Sequence, residues 1–124
     1  MQALNRMFFL SVIGCACVFG MSQLHAENIQ ANVFKQQIQS NYTKLKKQKT
    51  ELYDAVMRSD EDWKIIQKAC AYSNTLKQLK QMSLKYQQLD AAKTELVFVS
   101  EMDRNFDQSF EMYGTSYQRS CTVV

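Results

Sequence analysis

Apolar and polar positions divide the chain into one unbroken apolar run and a long stretch of helical periodicity. Residues 7–21 are apolar or small at every position except Ser11. Further on, Ile38, Tyr42, Leu45, Leu52 and Val56 recur at steps of 4, 3, 7 and 4, with Lys49 in the skipped place. Ile29, Val33 and Phe34 extend the pattern upstream. Alternating steps of four and three put these side chains on one stripe, of the kind seen in coiled coils, and predict a helix over 28–58.

Ser59-Asp60-Glu61-Asp62 interrupts the stripe. Ser59 is placed to accept from the first free amides of a following helix, with Asp62 at capping-box distance. A second helix over 60–89 then carries Trp63, Ile66, Ala69, Cys70, Leu76, Leu79, Met82, Tyr86 and Leu89. Trp63 is expected to pack at its base near Cys70, and Ser73-Asn74 to weaken its middle. Asp90 and Ser100 both qualify as the next turn. Leu96-Val97-Phe98-Val99 is strand-like in composition, but it has no partner run, which favours a buried helical segment. Met102, Phe106, Phe110, Tyr113 and Tyr117 share one face of a third helix over 92–113. Gly114 offers it a left-handed cap, and the tail 115–124 reads as irregular.

Composition narrows the fold class. The chain has no Pro, and its three glycines leave the residues between Met21 and Tyr113 without one. Sheets joined by many turns depend on both residues. The expectation is an all-α fold: a small antiparallel helical bundle or hairpin of about three helices, with one disulfide. Charge supports the hairpin. Residues 64–93 hold six Lys against Asp90, whereas residues 95–119 hold five acids against Arg104 and Arg119. Facing helices would pair these fields, each exposed pair contributing about 0.2–1 kcal/mol.

The apolar run follows Arg6 and ends in small and polar residues before Ala26. That order predicts a secretory signal over 1–26 with cleavage after Ala26, leaving one helical domain over 27–124 in a periplasmic or extracellular setting. Val12-Ile13-Gly14-Cys15 resembles a bacterial lipobox. Acylation at Cys15 is therefore the alternative, and it would anchor the protein to a membrane.

Cleavage after Ala26 leaves Cys70 and Cys121, a single pair in an oxidising space, which predicts a disulfide. Their 51-residue separation argues against a redox-active Cys-X-X-Cys pair. The only histidine, His25, leaves with the leader. No nucleophile then has a histidine partner and no glycine loop can cradle phosphate, so neither catalysis nor a cofactor is expected. Losing Arg6 lowers the net charge from +3 to +2, too little bias to point to nucleic acid.

What remains is contact with an unidentified protein partner, as an adaptor, accessory subunit or inhibitor. Candidate surfaces are the basic cluster Lys44, Lys46, Lys47 and Lys49, and the aromatic pair Tyr113 and Tyr117. A weaker alternative is a metal- or ligand-binding module on the acidic third helix, where Asp103 and Asp107 share a face.

Overall fold

The computed structural model describes the backbone of residues 2–122 and the side chains of residues 28–122. Four helices follow one another: α1 (Gln2–Met57), α2 (Asp62–Lys85), α3 (Asp90–Ser109) and α4 (Tyr117–Cys121), with a 3-10 turn at Phe110–Tyr113 before α4. No strand occurs among the described residues, and the all-α expectation holds. The chain divides after Val33 into two units, and the second begins at Phe34. The leader, with Cys15 and the Ala26 boundary, lies outside the residues whose side chains are described. Among the described residues no helix is long and apolar enough to cross a membrane.

From Phe34 onward, three helices run antiparallel around one core. Phe34, Ile38 and Leu45 of α1, Tyr72, Leu76 and Leu79 of α2, and Ala92 and Val99 of α3 form its centre. Each helix contributes a stripe stepped by four and three. In α2 the buried apolar stripe is Ile65, Ala69, Tyr72, Leu76 and Leu79, and Ser73, Thr75 and Ser83 are buried beside it. Trp63 is not part of it. It stands 59% exposed in the first turn, its indole N–H bonded to Glu61 and its ring beside the Lys64 ammonium. Ile65 takes the base position because only it falls in phase with Ala69 and Tyr72.

The α1 stripe also differs from the expected one. Ile38, Leu45 and Leu52 belong to it, but Ala55 is the fully buried residue near the end, and Val56 is exposed. Gln48, not Lys49, fills the intermediate place, and its side-chain oxygen is buried without a hydrogen bond. Ile29 and Val33 are exposed, so the stripe starts at Phe34.

The turn between α1 and α2 is a helix C-cap rather than the expected N-cap. The Asp60 amide donates to Ala55 O at 3.0 Å and the Ser59 amide to Val56 O at 3.0 Å. These are the two bonds of a Schellman motif, which needs a left-handed residue. Ser59 supplies it at φ 55°, leaving Glu61 to cap α2 without a side-chain bond. The same pair of bonds recurs after the 3-10 turn, where Gly114 takes φ 69° as its sequence position predicts. Between α2 and α3 the chain turns at residues 86–89. Leu89 is the extended residue before α3, so Asp90 marks the turn and Ser100 lies inside the helix. The run 96–99 is helical, with Val99 buried but Val97 and Phe98 facing outward.

Candidate functional site

Two arrangements of side chains stand out where the N-terminal half of α2 meets the end of α3. One is polar. Cys70, Ser73, Asn74 and Lys77 follow each other at helical spacing on the flank of α2 beside its core stripe. The Lys77 ammonium lies 2.7 Å from Asp103 Oδ1, 3.0 Å from Asp107 Oδ1 and 3.1 Å from Ser73 Oγ. Ser73 Oγ in turn donates to Asp107 at 3.4 Å. Burial works against the Lys77 charge, but the hydrogen bonds to Asp103 and Asp107 outweigh it and raise the lysine's pKa. The expected weakness at Ser73-Asn74 is absent because both side chains find partners on other elements. Asn74 accepts from the Tyr117 hydroxyl at 2.6 Å.

Asp103 and Asp107, the pair considered as a cation site, thus hold an amine already. An added cation would have to displace Lys77. Among the described residues there is no group of three or more potential metal ligands.

The tail closes over this network. Residues 115–124 are less irregular than their sequence implied. Ser116 accepts from the Arg119 amide at 3.2 Å and caps α4, a local signal legible in the sequence. Cys121, the last residue of α4, meets Cys70 with sulfurs 2.08 Å and Cα atoms 5.3 Å apart. The Tyr117 ring covers the Lys77 ammonium at 3.8 Å and meets Phe110 edge-on at 6.4 Å. Phe110 continues into Phe106 and Phe106 into Tyr72, at 5.7 and 4.5 Å between centroids. Phe106, Phe110 and Tyr117 of the predicted stripe therefore form, with Tyr72, a column running from the tail to the core, and Tyr113 lines the pocket beside it.

The other arrangement is apolar. Beside this column lies a cavity of about 250 Å³, lined by Leu52 and Val56 of α1, Ile65, Ile66 and Ala69 of α2, and Phe106, Phe110, Met112 and Tyr113 around the end of α3. Ser109 is the one remaining lining residue, and its hydroxyl donates to Phe106 O at 2.6 Å. The Ser109 proton is thus committed to the backbone, and the Tyr113 hydroxyl is the other polar group of the lining side chains. Val56, 43% exposed, and Met112, 83% exposed, stand at its margin.

No known protein family, curated protein or solved structure matches the chain.

Of the residues singled out from sequence, Cys70 and Cys121 come together as expected. Tyr113 and Tyr117 separate, Tyr113 lining the pocket and Tyr117 covering Lys77; both are half-buried. Lys44, Lys46, Lys47 and Lys49 are all exposed on α1. The pocket had no signal in the sequence, because its lining comes from three helices and a turn. Each contributes residues that periodicity alone assigns to an ordinary core.

Proposed function

We propose that this is an exported, non-enzymatic protein that works by holding a protein partner in the cell envelope or outside the cell. In this reading a bulky apolar side chain of the partner enters the pocket between Leu52, Ile66 and Tyr113. The observation that carries it is the pocket itself: about 250 Å³ of space, walled almost wholly by hydrocarbon and open beside the exposed Met112. An apolar cavity of about 150 Å³ is enough to bind benzene, so a Leu, Met or Phe side chain is of suitable size. A few side chains seated in desolvated pockets near the centre of a contact supply most of the affinity of protein interfaces. Export is supported by the leader-like residues 1–26 and by a cysteine pair that needs an oxidising compartment. A non-enzymatic role is supported by the lack of any histidine after His25.

A photo-cross-linking residue at Met112, introduced in the native host, tests the pocket. The expected result is a discrete protein adduct that Ile66→Asp abolishes. Adducts formed instead from a cross-linker at Lys44 would move the partner surface to the basic face of α1 and end the pocket reading. Mass spectrometry of the mature N-terminus tests export: a start at Glu27 is expected, whereas an acylated Cys15 would replace the soluble form with an anchored one.

A further inference from the structure

The disulfide is not in the pocket, yet the pocket's wall depends on it. Phe110 lines the cavity, is 1% exposed, and meets Tyr117 of α4 edge-on. Helix α4 has five residues and none of them is buried. A helix this short does not persist without tertiary support. Besides packing, its polar ties to α2 include the exposed Tyr117–Asn74 hydrogen bond and the ring of Tyr117 over Lys77. The Thr115 and Ser120 hydroxyls bond to each other and the Thr115 hydroxyl to Ser116 O, so neither ties α4 to α2. The covalent tie from Cys121 to Cys70 is the strongest link of α4 to α2, and it helps hold Tyr117 against Phe110.

From this chain of contacts we infer that the Cys70–Cys121 disulfide acts as a redox latch on the apolar pocket, so that reduction by a dithiol lowers the pocket's affinity for its guest. The inference rests on the pocket reading above. The reaction balances simply. A thiolate of the dithiol attacks one sulfur of the bridge, and its second thiol resolves the mixed disulfide. Cys70 and Cys121 gain two electrons and two protons as thiols, and the donor leaves as a disulfide. Both cysteines are half-buried rather than enclosed, which leaves the bridge open to attack.

Once the bridge opens, α4 is released and Phe110 loses the ring that backs it. The Gly114 cap survives, because its bonds to Glu111 and Phe110 are all local. The 3-10 turn therefore stays attached to α3 while its aromatic wall loosens. A pocket whose wall is no longer fixed must order it again with each guest, and affinity falls accordingly.

Toluene is the probe, titrated into the exported protein and followed by the methyl resonances of Ile65 and Ile66. The oxidised protein should bind it saturably. After dithiothreitol the affinity should fall at least tenfold, with helix content by circular dichroism retained. Tyr117→Ala with the disulfide intact should reproduce part of that loss, about threefold. If reduction unfolds the helices, the Tyr117→Ala result decides alone, and unchanged affinity there overturns the latch. Equal affinity in folded oxidised and reduced protein overturns it as well. Failure of toluene to bind the oxidised protein at all would instead remove the pocket as a binding site.

Discussion

The α2–α3–α4 part of the domain and residues 34–57 of α1 both bury apolar stripes in the same core, but they are held by different kinds of bond. Between α2, α3 and α4 the structure places a disulfide, the Lys77 network and a continuous column of four aromatic rings. Across to α1 the Tyr42 hydroxyl donates to Glu95 at 2.6 Å, and large side chains pack together, as Phe34 does on Tyr86. Hydrophobic contact is non-directional and tolerates adjustment. Bridges, ion pairs and rings fix one geometry. The α2–α3–α4 part is thus the frame, and α1 is the element most able to shift upon it.

The largest effect expected from breaking the frame is that of Cys121→Ser. Opening a 51-residue loop should lower stability by about 4 kcal/mol in the chain-entropy model, read as a large drop in Tm. A change well under 1 kcal/mol would mean that the frame does not depend on its covalent tie. Leu45→Ala attacks the other side of the comparison. Leu45 is buried in the core, so the loss should be about 3 kcal/mol. Hydrogen exchange should quicken in α1 before α2 and α3, whereas equal loosening of all three would erase the distinction between them.

Lys77→Met removes the polar half of the frame and leaves Asp103 buried without its amine, with an expected cost of about 2 kcal/mol. Alkali should have a related effect. Lys77 holds its proton more tightly folded than unfolded, as do the Tyr72 phenol, raised by burial, and the Tyr42 phenol, raised by burial and by its bond to Glu95. The stability these groups contribute is complete below about pH 10 and is lost as pH rises through their raised values. Urea midpoints falling steeply above that pH in the native protein, and less steeply in Lys77→Met, would be the confirming pattern. The smallest effect is a gain. Ser59→Gly relieves a left-handed conformation at the hinge into α2 and should stabilise by about 0.5–1 kcal/mol. A loss there would mean that the serine side chain matters to the turn.

Much of the frame was legible in the chain itself, for physical reasons. Cys70 and Cys121 are the only cysteines after residue 17, and a lone pair has one way to bond. The basic and acidic segments on either side of residue 93 anticipate Lys77 meeting Asp103 and Asp107. Gly114 marked its own cap because glycine is the usual left-handed residue. Ser59 did not, since a serine before three acids carries the pattern of an N-cap, and the backbone chose the other role. The α1 register was ambiguous by one residue, because stripes through 42, 49 and 56 or through 41, 48 and 55 share Ile38, Leu45 and Leu52. Burial of Ala55 decides it, and alanine carries too weak an apolar signal to do so in advance. The pocket was illegible altogether: it is a gap between elements, and a linear pattern records which residues turn inward without recording where they fail to meet.

The disulfide also sets how the domain would carry tension. A pull applied to the chain on either side of the bridge travels from Cys70 straight to Cys121 through sulfur, bypassing everything between them. The intervening 51 steps of backbone, about 170 Å when drawn out, are withheld from extension. Under load α1 and the turns of α2 before Cys70 would peel away while the chain from Cys70 onward kept its length, so the bridge makes one part of this small domain a fixed link and the other a yielding strap.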